Sequence, residues 1–217
     1  MPQLPPTHKP RLRGVFHQWA CVASVPLGLG LVSVAGNARA RIALATYAIS
    51  LVALFGVSAL YHRIDWRSAA ARRWIRRLDH SMIFVLIAGS YTPFALLVLH
   101  GPLATALLIA VWIGATLGVA FNLGWSNPPT WLRAALCVAL GWIALAALPQ
   151  LGAAIGFAGV ALLGLGGVLY TAGGVVYAVR RPNPAPAAFG YHEVFHILVI
   201  VAAALQYAVI AFWIAPA

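Results

Sequence analysis

Apolar runs of membrane-spanning length fill most of this chain, and they constrain its fold more than any other feature. In hydrocarbon, backbone N–H and C=O groups must be satisfied internally, which leaves helices and closed barrels as spanning structures. A helical crossing takes roughly 20 apolar residues. Seven segments are predicted on that basis, at about 16–36, 42–62, 79–99, 103–123, 132–148, 156–179 and 192–214, the fifth being the shortest. The expected fold is all-α, a polytopic seven-transmembrane helix bundle over residues 16–217. A short tail, 1–15, precedes it and reads as disordered because it is rich in proline. Composition agrees: 63% of residues are hydrophobic and 8% are charged, against about 25% charged in a soluble domain.

The formal charge of +11 first suggests nucleic acid, but the basic residues lie between the apolar segments, where membrane topology selects for them. No nucleic-acid partner is expected. With seven spans, the N-terminal tail and the loops after the second, fourth and sixth segments carry twelve of the 14 Lys and Arg residues; only Arg39 and Arg41 fall on the other side. That bias puts the N-terminus in the cytoplasm and the C-terminus outside. The first segment loosely resembles a signal peptide, but it is longer than the usual ~7–15 residues and has Arg39 at the would-be cleavage point. An uncleaved helix is the better reading. Cys21 and Cys137 sit inside apolar segments and read as free packing residues.

Ionisable groups at membrane-segment ends cost free energy unless they snorkel or have partners. His62 closes the second segment, Asp79 opens the third, and His192 and His196 open the seventh. The topology brings all four to the cytoplasmic face. His192 and His196 are four apart, so both rings project from one face of a helix. Ser58 stands four before His62, one turn deeper. Three imidazoles leaving one position for water is a zinc arrangement, and zinc lowers the pKa of bound water to roughly 7. Asp79 reads as a general base or a fourth ligand, and Ser58 as a hydrogen-bonding group for the water or a carbonyl. Asp79 as a simple helix cap is the plainer alternative. His8, His17 and His100 read as snorkelling interfacial groups, and His80 and Asp65 as loop or cap groups. His192-Glu193-x-x-His196 also spells the HExxH of zinc peptidases, with Glu193 as base.

Four stretches taken together resemble one family: Ser58-Ala-Leu-Tyr-His62, Leu78-Asp79-His80-Ser81, Ala88-Gly-Ser-Tyr-Thr-Pro93 and Gly190-Tyr-His192-Glu-Val-Phe-His196. They look like the motifs of the haemolysin III family, the bacterial branch of the adiponectin and progestin receptors. The resemblance implies a bacterial plasma-membrane protein with seven helices and a zinc site near the cytoplasmic face. His62, His192 and His196 would be the zinc ligands, and Asp79 and Ser58 would orient the water. It also implies hydrolysis of a lipid amide or ester, ceramidase-like, with membrane lipids as partners; oligomeric state is left open. Glu193 is not a required acid in the receptor branch, which counts against the peptidase reading. The competing functions are a membrane sensor with structural zinc and a pore-forming cytolysin. The pore lacks polar helix faces to line it.

Overall fold

A computed structural model describes residues 10–125 and 127–215. Seven helices follow one another: α1 (Val15–Ser33), α2 (Ala38–Arg63), α3 (Ala69–Leu97), α4 (Gly101–Gly124), α5 (Thr130–Gly141), α6 (Leu148–Val179) and α7 (Tyr191–Val209). A 3-10 stretch, Trp142–Ala147, joins α5 to α6, and a π turn, Ile210–Ile214, ends α7. Six segments among the described residues are long and apolar enough to cross a membrane; one of them, Thr130–Val179, is 50 residues long. That long segment folds back on itself. The backbone of Gly174 lies against Val138 and Ala134, and that of Gly167 against Trp142, so α5 and α6 run antiparallel. The indole of Trp142 donates to Thr171 Oγ1 at 3.0 Å across the same contact.

The outer faces of these helices are apolar. Phe157 is 90% exposed, Phe212 74% and Ile49 69%, a pattern that suits lipid and would be costly in water. The fully buried side chains include Tyr47, Phe84 and Leu44, between the helices. Tight packing relies on small residues. A Cβ on Gly118 would fall 2.3 Å from the Phe84 ring of α3, and one on Gly114 would fall 2.5 Å from Leu140 of α5. Gly114 and Gly118, four residues apart on α4, therefore admit different neighbours.

Three expectations need correction. The third helix begins at Ala69 rather than near 79, because Ser68 caps it and Ala and Arg are strong helix formers. Arg72, Arg73, Arg76 and Arg77 are thus helical rather than in a loop, and Asp79 lies several turns inside α3 and does not cap it. The fifth α-helix is only 12 residues long. At its end the hydroxyl of Tyr91 accepts the Ala144 N–H at 2.7 Å and donates to the Gly141 carbonyl, so α3 supplies the bonds that the fading helix loses. The sixth helix starts earlier than expected, at Leu148, and turns at Gly156, whose φ of 64° and ψ of −177° are outside any helix.

Part of the predicted tail joins the fold. Arg11 and Leu12 donate to the carbonyls of Ala187 and Ala188, each at 3.1 Å, which ties the entry of α1 to the loop before α7. Residues 1–9, including His8, lie outside the described residues.

Gly118→Ala is expected to lower thermal stability in detergent by about 1–3 kcal/mol through overpacking. Gly164→Ala, with nothing within 4 Å of its would-be Cβ, is the matched control and should be neutral or slightly stabilising. Equal melting temperatures for the two variants would contradict the packing described.

Candidate metal centre

Most of the buried polar side chains, including every buried charged one and every buried histidine, collect at one end of the bundle. The start of α1 brings His17, the end of α2 brings Ser58 and His62, and α3 brings Asp79. Asn122 comes from the end of α4, Arg133 from the start of α5, and His192, Glu193 and His196 from the start of α7. Successive helices therefore alternate in direction, and alternate ends meet here.

Among the described residues, His62, His192 and His196 form a buried group whose ligand nitrogens all lie within 4.8 Å of one another. His62 Nε2 and His192 Nε2 face each other at 3.0 Å. The His196 ring lies 5.2 Å from that of His62 and 4.5 Å from that of His192, centre to centre. His196 Nδ1 is buried with no hydrogen-bond partner. Leaving such a nitrogen dry and unpaired costs free energy. Tetrahedral zinc with Zn–N bonds of about 2.0–2.1 Å would set its ligands about 3.4 Å apart, so the spacing and the donor chemistry both fit a metal. Asp79 Oδ2 lies 3.8 Å from His62 Nε2. Its carboxylate is buried beside the Ser58 side chain. All five residues singled out from the sequence are thus gathered in one place.

The structure adds His17, which sequence reasoning left as a snorkelling group. It is 3% exposed. Its ring stacks on that of His196 at 3.7 Å with 9° between the planes, and its Nδ1 hydrogen-bonds Ser58 Oγ at 2.8 Å. The docked Arg11–Leu12 segment sets the entry of α1 and turns this face inward. The signal was present in the sequence, because His17 opens a segment at the same face as His62, His192 and His196. Gly14 makes the approach possible: its φ is 81°, and a Cβ there would fall 2.5 Å from His62 Cβ. His80 is also corrected. It lies within α3, 3.4 Å from the Tyr177 hydroxyl, and not in a loop.

Glu193 faces other work. Its Oε2 accepts the Gly190 N–H at 2.8 Å, capping the start of α7 from the third helical position. Its Oε1 pairs with Arg13 at 2.6 Å. Both oxygens are engaged away from the histidines, so the HExxH geometry with Glu193 as base is not formed. Asn183 completes the clamp by accepting the Tyr191 N–H at 2.9 Å.

The site extends into an apolar cavity of about 210 Å³ between α3, α5, α6 and α7. From Asp79 its wall follows Ile83, Ile87, Tyr91 and Phe94 along one face of α3. At 1.5 Å per residue that stretch is about 22 Å long.

A helical membrane protein with a buried three-histidine centre beside a carboxylate is the class that these observations define. Within that class, this chain belongs to the haemolysin III family: the family described as haemolysin-III related matches residues 6–207. The chain is similar to Hemolysin-3 of Bacillus cereus, 30% identical over 207 residues that cover 93% of this chain and 90% of that one. It is likewise 30% identical to the Hemolysin-3 homolog of Bacillus subtilis over 202 residues, covering 92% and 91%. The adiponectin receptor protein of Drosophila melanogaster is 27% identical over 88% of this chain, which spans 47% of that protein.

His17→Ala should weaken metal retention about 10–100-fold, as loss of a ligand-orienting partner does, measured by chelator competition on the purified protein. Glu193→Gln should keep its metal and lose thermal stability, because Arg13 would be left without its counter-charge. Loss of metal in Glu193→Gln with unchanged stability would assign Glu193 to the centre after all.

Proposed function

We propose that this protein is a zinc-dependent hydrolase of a lipid amide or ester, crossing a bacterial plasma membrane seven times with its site toward the cytoplasmic leaflet. The observation that carries the reading is the buried His62–His192–His196 group, with Asp79 beside it, against an apolar cavity that His192 and Asp79 line. The twelve-to-two distribution of basic residues supports the orientation. The antiparallel pairing of α5 and α6 supports counting Thr130–Val179 as two crossings.

His62, His192 and His196 would hold the metal. When bound, zinc polarises a carbonyl and makes water a usable nucleophile near neutral pH. Asp79 then takes a proton at its carboxylate and returns it to the departing amine or alcohol. Ser58 stands beside that carboxylate and is itself held by His17. The walls formed by Ile83, Ile87 and Phe94 take up an acyl chain and keep bulk water from the carboxylate.

A second reading, a sensor in which zinc only staples the bundle, draws on one observation: His62 stands on α2 and its partners on α7, helices far apart in the chain. A metal there would cross-link them whether or not turnover occurs.

Elemental analysis of protein purified in detergent without added zinc is expected to give about one zinc per chain, lost in His192→Ala. Asp79→Ala should keep most of the zinc yet lose lipid hydrolysis by at least about 100-fold. A hydrolytically active Asp79→Ala protein would sink the role of Asp79. A folded, metal-free wild type would remove the case for an enzyme.

A further inference from the structure

A second cavity, of about 490 Å³, opens at the histidine end of the bundle. Arg13, Arg76, Arg77, Arg133 and Arg180 all line it, and no Asp or Glu does. The chain has only three acidic residues altogether. Guanidinium charge therefore exceeds carboxylate charge around this cavity however the ion pairs are drawn, even with Glu193 held against Arg13. Arginines at a cytoplasmic membrane edge are ordinary. Here, however, they converge on one concavity, where low-dielectric walls focus their field.

Two of these residues are placed with some care. Arg133 is buried, with its Nε on Asn122 Oδ1 and its NH1 on the Tyr177 hydroxyl, each at 2.9 Å. Its planar fork is thereby fixed in orientation. Arg180 ends α6 in the left-handed region, at φ 58° and ψ 38°. Glycine is the usual residue at such a helix end. A bulky side chain there is a departure that points to a use for the guanidinium.

The two cavities adjoin, because His80, Arg133, Tyr177 and His192 line both. A molecule with its acyl chain in the apolar cavity would carry its linkage past the histidines and leave its polar end among the arginines. We infer that the arginine-lined cavity receives a phosphate-bearing lipid headgroup, so that the ligand of this site is an acylated phospholipid rather than a neutral lipid. Guanidinium groups bind phosphate oxygens through paired, charge-assisted hydrogen bonds. The assignment of an acyl chain to the apolar cavity rests on the function proposed above; the preference for an anionic headgroup does not require turnover.

The test uses the full-length protein carrying Asp79→Asn, which removes turnover, in neutral detergent. Binding of a fluorescent phosphatidylglycerol is compared with that of a fluorescent diacylglycerol bearing the same chains, and inorganic phosphate is a third arm. The phospholipid should bind about tenfold or more tightly at low salt. That preference should shrink as salt is raised. It should also shrink in an Arg76→Gln/Arg180→Gln double variant and persist in Arg180→Lys. Equal binding of the two lipids at low salt overturns the inference. Inorganic phosphate binding as tightly as the phospholipid would also overturn it, making this a free-anion site. If the double variant does not fold, the salt dependence of the unsubstituted cavity decides. A wild-type protein that hydrolyses no lipid would end the hydrolase reading while leaving the lipid preference as measured.

Discussion

Placing imidazoles and a carboxylate in a dry helix bundle is expensive unless each finds a partner, and that demand organises this molecule. The buried groups have few ways to be satisfied. Ser58 is bonded to His17 and stands beside Asp79. His17 covers the face of His196. His62 and His192 share one close nitrogen contact, and His196 Nδ1 is left over. A metal ion is the partner that would satisfy the convergent nitrogens together. Helix ends suit such a centre, because the surrounding backbone is close to the polar edge while the side chains reach inward.

The bundle itself was largely legible. Apolar length announces membrane helices because hydrocarbon leaves the backbone so few alternatives. The sharing of one face by His62, Asp79, His192 and His196 followed from counting crossings, without any structural knowledge. What escaped was local. A charged helical extension such as Ala69–Arg77 carries no apolar signal, so the start of α3 was placed too late. Gly156 breaks a helix inside an apolar run, where composition does not change and hydropathy is blind. His17 looked like an isolated interfacial histidine because the packing that turns it inward comes from Arg11 and Leu12, hydrogen-bonded to a loop 176 residues away in sequence.

Glu193 shows how a motif can mislead when its spacing is right and its setting is wrong. In this chain the acid between the two histidines meets a nearby helix start and a nearby arginine, and both are stronger claims on a carboxylate than an open position at the centre. A glutamate that caps a helix start and the glutamate of HExxH are the same letter in a sequence. The two are told apart by whether the glutamate lies at the third helical position, as it does here after Gly190.

That cap matters to the centre even though it takes no part in it. A slip of α7 by one residue would turn its side chains by about 100° and shift them by about 1.5 Å, which would scatter His192 and His196 away from His62. The register of α7 is fixed by Glu193 against Gly190, by Arg13 against Glu193 and by Asn183 against the Tyr191 N–H. The entry of α1 is fastened to the same loop through Ala187 and Ala188. The segment that sets His17 and the loop that sets His192 and His196 are therefore one mechanical unit, closed around His62 by the near contact of Gly14. The precision of the centre comes from this clamp outside the apolar core, and the long helices behind it serve to hold the clamp still.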